Sequence, residues 1–362
     1  MKLIYSYLLY ITGFLALTTL LNFIIGYEFL TGPLIILTLV FLAIGIRGHA
    51  FFKGFSFTVL ILASVAASLF YPVLFIQWGT FELKDLIVPL LQLIMFGMGT
   101  AMHLKDFVGV IKMPKAVGIG IVCQFTIMPL VGTSIAYAFG FPPEIAAGII
   151  LVGASPSGLA SNVMSYIAKA NLALSVTLTA CATLLAPLMT PLLMELLAGE
   201  FVPIDFWAMV WSITKIVILP IIAGLIFNHF FHGKAKWLDK SMPLVSMAGI
   251  AFIITIITAA GRDSILAIGL ALVAAAIIHN SLGYLLGYWA CRLFRLPEQD
   301  CRTIALEVGM QNGGLASGIA LEMGKVATVG LAPAIFGPWM NISGSSLATW
   351  WREKSIKSEK GN

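Results

Sequence analysis

Charged side chains are scarce in this sequence: Asp, Glu, Lys and Arg make up 10% of its 362 residues, whereas 60% are hydrophobic. The mean hydropathy is +1.00, which leaves too little polar surface for a soluble fold. Many apolar runs reach the roughly 20 residues that a helix needs to cross a bilayer. The alternating segments of a membrane β-barrel are absent. The sequence therefore predicts an all-α, polytopic membrane protein.

Cysteine and recognisable catalytic motifs are equally scarce. The four cysteines, Cys123, Cys181, Cys291 and Cys301, lie in or at the ends of apolar runs and lack metal-ligand spacing. Nucleophile–base pairs and phosphate-binding loops are missing as well, so we expect neither an enzyme nor a cofactor. The net charge of +5 comes from basic residues spread through short loops. That distribution argues against a nucleic-acid partner and for the lipid bilayer.

The apolar runs predict twelve spans. Their approximate bounds are 3–25, 29–46, 55–76, 86–102, 116–139, 144–167, 172–197, 206–230, 243–260, 265–292, 299–322 and 327–351. With loops on alternating sides, Lys84, Arg262 and Lys325 fall on one side and nearly all other basic residues on the opposite side. By the positive-inside rule the basic side is cytoplasmic. We expect a plasma (inner) membrane protein with both termini in the cytoplasm.

Two polar, glycine-rich segments interrupt the apolar pattern, and they resemble each other. Segment 152–161 reads VGASPSGLAS and segment 306–317 reads LEVGMQNGGLAS, so Gly153 and Gly309 lie 156 positions apart. Gln124 and Asn280 have the same separation. Four spans separate the two segments, which predicts two inverted five-helix repeats, an architecture found in secondary transporters.

The repeats define the expected domains. Residues 1–50 form two extra N-terminal helices, and residues 51–352 form a ten-helix unit. Its first repeat covers about 54–197 and its second about 204–352, followed by a cytoplasmic tail at 353–362.

Proline and glycine break both segments. Pro156 lacks an N–H group, and Gly158, Gly309, Gly313 and Gly314 tolerate strained backbone angles. Each break frees carbonyl and amide groups, which can bind cations and attract anions at depth in the membrane. The alternative is a kinked, closely packed helix, because small residues are common at helix contacts in membranes.

Glu307 lies in the second segment, and an ionised carboxylate at this depth needs a partner or a proton. Candidate oxygens for a shared cation belong to Gln311, Gln124, Ser161, Asn162, Ser175, Thr179 and Thr183. The last three repeat every four residues and so share one helix face. Two alternatives stay open: a protonated Glu307, and hydroxyls that bond only their own helix backbone.

Four motifs occur in the order of a known family: MFGMG at 95–99, ASNVM at 160–164, EVGMQN at 307–312 and NISG at 341–344. Through them residues 54–351 closely resemble the bile acid:sodium symporter family. The resemblance implies a panel domain, a core domain in which the broken helices cross, and two sodium sites. The matching positions for one site are Ser161, Asn162, Ser175, Thr179 and Glu307. For the other they are Gln124, Glu307, Val308, Met310 and Gln311.

On the substrate side the chain departs from the family pattern. Leu159 stands where relatives often carry threonine, and Met340 stands where a histidine can precede the matching Asn341. Asn312 and Asn341 remain as substrate contacts. The resemblance implies symport of an organic anion with two sodium ions. The substrate stays open among bile acids, pantoate, pyruvate and other organic anions. The alternatives are proton-coupled or exchange transport, and a non-transporting membrane sensor.

Overall fold

The structure, a computed structural model, describes residues 2–49, 52–103, 106, 108–231 and 236–354. Its helices are α1 (Lys2–Ile25), α2 (Glu28–Gly45), α3 (Ser56–Phe70), α4 (Val73–Ile76), α5 (Ile87–Ala101), α6 (Val108–Lys112), α7 (Pro114–Phe139), α8 (Pro143–Ala154), α9 (Ala160–Ile167), α10 (Leu172–Ala198), α11 (Phe206–Ile213), α12 (Leu219–Phe231), α13 (Lys236–Ala260), α14 (Arg262–Leu293), α15 (Glu298–Gly309), α16 (Gly313–Glu322) and α17 (Leu331–Glu353). Short 3₁₀ turns cover Ile46–Gly48, Phe52–Phe55 and Leu83–Leu86, and β1 (Gln77–Trp78) pairs with β2 (Phe81–Glu82).

The prediction of an all-α, polytopic membrane protein is confirmed. Within the described residues, seven helices are long and apolar enough to cross a membrane: Leu3–Ile25, Glu28–Gly48, Leu83–Ala101, Pro114–Phe139, Leu172–Ala198, Phe206–Phe231 and Arg262–Leu293. Of the five other predicted spans, two are broken into half-helices. The count of twelve spans, their inversion and the domain bounds stay predictions, and residues 355–362 of the tail lie outside the described residues.

One predicted boundary is wrong. The span expected at 55–76 ends at Phe70, and the short helix α4 and a β-hairpin follow it. Pro72 explains the early end, because proline lacks an N–H group and disfavours helical angles at the residue before it. Tyr71 accordingly has φ −128° and ψ 56°.

The N-terminal helices α1 and α2 form a hairpin that packs on α3 through α2. Asn22 Nδ2 donates to Tyr27 O (3.0 Å) and to Thr31 Oγ1 (2.8 Å), which fixes the turn. The Ser56 hydroxyl donates to Ala43 O (2.7 Å) and so ties α3 to α2. Most large side chains of α1 are exposed, and in a membrane they face lipid.

The remaining long helices form two groups. In the panel group, α5 packs against α12 and α13, and α13 packs against α3. In the core group, α7 packs against α8, α10 and α14, while α14 packs against α15 and α17. The half-helices α9 and α16 complete the core group through their contacts with α17. The seam between the two groups is where the broken segments lie.

The sequence did not predict a π-helical turn at Thr214–Ile218, which joins α11 to α12. It contains Lys215, to which the sequence assigns no role. The Lys215 ammonium lies 5.8 Å from the centre of the Trp211 ring, and Gln92 Nε2 donates to the Lys215 carbonyl (3.3 Å).

Helices α5 and α12 approach each other so closely that each needs glycine at the contact. A Cβ added at Gly99 would lie 2.2 Å from Ile221 O, and one added at Gly224 would lie 2.2 Å from Phe96 O. The obstacle in both cases is a backbone carbonyl, which cannot rotate away.

We predict that Gly99→Ala lowers the free energy of unfolding by about 1–3 kcal/mol, the usual range for overpacking. The matched control is Gly118→Ala on α7, where an added Cβ has no neighbour within 4 Å. Because alanine favours helix by up to about 1 kcal/mol over glycine, the control should be neutral or stabilising. Thermal unfolding in detergent measures both, and equal stability of the two variants would contradict the packing argument.

Candidate functional site

The two broken segments meet and complete each other's backbone hydrogen bonds. Residues 155–159 separate α8 from α9, and residues 310–312 separate α15 from α16. Gly158 N donates to Met310 O (2.9 Å), and Asn312 N donates to Pro156 O (2.8 Å). Ser157 and Gln311 form an isolated antiparallel bridge. The predicted breaks are therefore real interruptions that contact each other, and a merely kinked helix does not describe them.

Glu307, in the last turn of α15, lies at the centre of a buried cluster of oxygen atoms. Its Oε1 is 2.7 Å from the Ser161 hydroxyl and 2.5 Å from the Ser175 hydroxyl. Its Oε2 is 2.9 Å from the Thr179 hydroxyl. Asn162 Oδ1 completes the Glu307 cluster, 2.8 Å from Ser175 Oγ and 3.1 Å from Thr179 Oγ1. The structure thus brings together all five side chains that the sequence predicted for one cation site.

The electrostatics of the Glu307 cluster are unusual. Glu307 is only 2% exposed, and among the described residues no lysine or arginine forms an ion pair with it. Three hydroxyl groups donate to the carboxylate instead. Because a hydroxyl also carries two lone pairs, the same oxygens can turn towards a cation. The donor set is chemically suited to a hard monovalent cation.

A second group of oxygens lies on the other side of the crossing, again from predicted residues. Gln124 Nε2 donates to Gln311 Oε1 (2.7 Å) and Ser155 O (3.0 Å), and Gln311 Nε2 donates to Val308 O (2.6 Å). Gln124 Oε1 is buried and has no hydrogen-bond partner in the part of the chain that the structure describes. A buried amide oxygen without a donor can serve a cation.

Asn280 and Ser343 hold the end of α15 in place, a role that the sequence did not reveal. Asn280 Nδ2 donates to Gly309 O (2.6 Å), and the Ser343 hydroxyl donates to Asn280 Oδ1 (2.5 Å). Tyr284 extends this chain, with its hydroxyl 3.1 Å from Ser343 Oγ. The one indication of this role in the sequence is that Asn280 lies 156 positions from Gln124. His279 next to it is a packed residue, 3.3 Å from Met128 O and beside Phe336.

A cavity of about 160 Å³ lies between the two helix groups and is bounded by the crossing. The four residues predicted for substrate, Leu159, Asn312, Met340 and Asn341, all line it. Panel residues such as Met95 and Ile254 form the opposite wall.

Amides and helix N-termini are among the polar groups that face this cavity, together with Ser246 and Ser317. Asn312 Oδ1 accepts from Leu315 N (3.0 Å) and caps α16, so the side-chain NH₂ of Asn312 stays available. Asn341 Nδ2 donates to Gly337 O (3.1 Å). The N-terminus of α9, at Ala160, lies at the same cavity. These are groups that attract an anion.

Fold and site together define a class: a helical membrane protein whose broken helices meet around a buried carboxylate, as in secondary transporters. Residues 88–268 match the Sodium Bile acid symporter family, and the chain belongs to this family. The resemblance carried by the four sequence motifs is confirmed.

Relatives from bacteria, plants and animals support this assignment. The chain is 41% identical over 318 residues to the "Uncharacterized sodium-dependent transporter YocS" of Bacillus subtilis, which covers 88% of this chain and 97% of the relative. It is 34% identical over 267 residues to the "Probable sodium/metabolite cotransporter BASS1, chloroplastic" of Arabidopsis thaliana, with 74% and 67% covered. It is 35% identical over 267 residues to the human "Ileal sodium/bile acid cotransporter", with 70% and 76% covered.

The family and these relatives identify a sodium-dependent transporter in a membrane, with sodium as the co-transported ion. The relatives are named as transporters and not as enzymes, in agreement with the prediction from the sequence.

Thr183 differs in its hydrogen bonding from Ser175 and Thr179, with which it shares a helix face. Its hydroxyl donates to Thr179 O (2.7 Å) within α10, whereas the hydroxyls that bond Glu307 among the described residues are those of Ser161, Ser175 and Thr179. For this residue the alternative of a bond to its own helix is the correct one. Thr179 and Thr183 are both about 1% exposed, so they form a matched pair.

We predict that Thr179→Val raises the sodium concentration for half-maximal thermal stabilisation roughly tenfold or more. Valine removes an oxygen that can contact the ion, and a polar contact to a charged group contributes about 1.5–3 kcal/mol. Thr183→Val should leave this concentration unchanged. Purified protein titrated with sodium against a potassium control gives both values. A similar shift in the two variants would show that the Thr179 hydroxyl has no special relation to sodium.

Proposed function

We propose that this protein imports a small organic anion together with two sodium ions by alternating access. The Glu307 cluster carries the proposal. A carboxylate that is buried without a basic partner costs free energy at membrane depth. The five oxygen-bearing side chains of the Glu307 cluster come from three different helix segments. A sodium ion among Ser161, Asn162, Ser175, Thr179 and Glu307 would neutralise the carboxylate. Binding of that ion would also join α9, α10 and α15.

The Gln124–Gln311 pair supports a second sodium ion. The unpartnered Gln124 Oε1 and the carbonyls of Val308 and Met310 lie at the C-terminal end of α15. Helix C-termini carry partial negative charge and coordinate sodium in transporters with broken helices. Two sodium ions beside ionised Glu307 leave one net positive charge, which favours an anion close by.

The cavity supports a small anion as the substrate. The half-helices α9 and α16 present their positive N-terminal ends to it, and Asn312 and Asn341 add amide groups. Its volume of about 160 Å³ is below the roughly 300–1,000 Å³ of sites for drug-sized ligands. In this conformation the space suits a short carboxylate such as pantoate or pyruvate better than a bile acid.

The contacts between the two helix groups support alternating access. The cavity lies beside Met95 and Met98 of α5, whereas Leu91, one turn earlier, packs against Gly318 of α16. At the far end of α16, the Ser212 hydroxyl donates to Glu322 Oε2 (3.0 Å). Ser212 lies on α11, which the π-helical turn joins to α12 of the panel group. These contacts close the side predicted to be extracellular. Rocking of the two groups would open this seal and close the opposite side.

We expect Glu307→Ala to abolish sodium-dependent uptake while leaving folded protein, because it removes the carboxylate shared by both proposed sodium sites. The assay uses proteoliposomes and labelled pantoate, pyruvate and a bile acid, with an inward sodium gradient. Glu307→Gln, which keeps the shape, should fail in the same way.

Two outcomes would contradict this proposal. Unchanged uptake by the Glu307 variants would remove the carboxylate from the mechanism. Uptake by the wild type that is driven by a pH gradient in sodium-free vesicles would establish the proton-coupled alternative.

Locking the seal between Ser212 and Glu322 should stop transport. We predict that Ser212→Cys combined with Glu322→Cys, joined by a short cleavable thiol cross-linker, loses uptake and regains it after cleavage. The matched control is Glu144→Cys with Lys325→Cys, which replaces an ion pair on the same side but within the core group. Its cross-linked form should still transport. Loss of uptake in both pairs, or in neither, would argue against movement at this seal.

A further inference from the structure

A second, larger cavity lies on the outer face of the core group, away from the transport cavity. It is an open groove of about 860 Å³ between α14 and α17, and the N-terminal part of α15 closes one end. No residue of this groove lines the transport cavity. None belongs to the predicted sodium or substrate positions. The groove therefore needs its own explanation.

The long walls of the groove are two stripes at helical spacing, made of aromatic and aliphatic residues with Ser281, Ser343 and Ser346 among them. Positions 281, 284, 285 and 288 form the stripe on α14. Positions 339, 342, 343, 346, 347, 350 and 351 form the stripe on α17. Both follow the i, i+3, i+4, i+7 pattern of one helix face. From Trp339 to Lys354 the wall is about 22 Å long at 1.5 Å per residue, enough for an extended acyl chain in one leaflet of a bilayer core of about 30 Å.

The closed end of the groove carries charge. Arg302 is buried and donates through Nε to Glu298 Oε1 (2.9 Å) and through Nη1 to Trp351 O (3.0 Å). The Tyr288 hydroxyl donates to Glu298 Oε2 (2.7 Å), and Arg292 Nη1 is 3.8 Å from the same oxygen. Glu298 is thus fully neutralised by its partners.

Positive charge remains in excess at this end. Lys354 is exposed, and its ammonium lies 3.9 Å from the centre of the Trp350 ring. Among the residues that line the groove, the charges of Arg302 and Lys354 stand against that of Glu298, so an anionic group would meet net positive charge. Trp350 and Trp351 at the same level are residue types that sit at the headgroup region of membranes. The groove is therefore charged at its closed end and largely apolar along its walls, in the same order as the headgroup and acyl chains of a lipid.

We infer that this groove binds one anionic phospholipid from the leaflet at the C-terminal end of α17. Lys354 would face the phosphate, and an acyl chain would lie along Leu285, Ile342 and Leu347. A zwitterionic phospholipid fits the apolar walls equally well but gains little from the excess positive charge. Basic pockets between membrane helices are known to select anionic headgroups.

The experiment compares phosphatidylglycerol with phosphatidylcholine of identical chains on the purified, delipidated full-length protein. Native mass spectrometry counts bound lipid, and thermal unfolding reports stabilisation, which rises with ligand concentration when only the folded state binds. We expect one phosphatidylglycerol molecule that phosphatidylcholine cannot replace at equal concentration. Lys354→Gln should weaken its binding about fivefold, the usual effect of one basic residue near an anionic headgroup. The matched control is Lys112→Gln, an exposed basic residue outside the groove.

A second pair of variants tests the apolar walls. Ser346 is exposed at mid-groove, and its hydroxyl bonds only its own helix at Ile342 O (2.9 Å). Ser346→Trp should fill the groove and abolish the specific lipid adduct, whereas Ser346→Ala should keep it. Tyr284 is not substituted, because its hydroxyl contacts Ser343 in the chain of hydrogen bonds that holds the end of α15. Equal binding of the two lipids, or an adduct that survives Ser346→Trp in folded protein, would overturn the inference.

Discussion

The structure depends on one exchange of backbone hydrogen bonds at the point where two helices are broken. Lipid offers no partners for free amide and carbonyl groups, so an interrupted helix at membrane depth must find them in protein. Gly158 N with Met310 O and Asn312 N with Pro156 O provide these partners reciprocally. Neither break is viable without the other. The exchange also fixes where α9 begins and where α15 ends, and so it positions Glu307 against α9 and α10.

The same breaks separate positive from negative helix ends. Helix α15 ends beside Glu307 and Gln311, and its C-terminal carbonyls add negative potential where the proposed cations would bind. The half-helices α9 and α16 begin at the cavity, where their amides favour an anion. The proposed cation and anion sites therefore lie a few residues apart on one segment. That proximity would give a direct electrostatic basis for coupling sodium binding to anion binding.

Much of this site could be predicted from the sequence because glycine, proline and a carboxylate are conspicuous in an apolar chain. The 156-residue offset located both breaks, and the i, i+4 spacing placed Ser175 and Thr179 on one face. The spacing alone could not separate Thr179 from Thr183, and only the family resemblance singled out Thr179. In the structure the crossing of α15 brings Glu307 to the Thr179 hydroxyl. The Asn280–Ser343 chain and the groove on α17 depend on packing between helices distant in sequence. No local sequence pattern predicts such contacts.

Tyr284 connects the groove between α14 and α17 to the end of α15. Its ring would be 2.2 Å from a Cβ added at Gly309, and its hydroxyl reaches Ser343 and through it Asn280. The same residue forms part of the groove wall. A ligand that stiffened this wall would therefore also restrain the end of α15, where the proposed sodium ligands lie. Because coupling free energy is reciprocal, any effect of lipid on sodium affinity must equal the effect of sodium on lipid affinity.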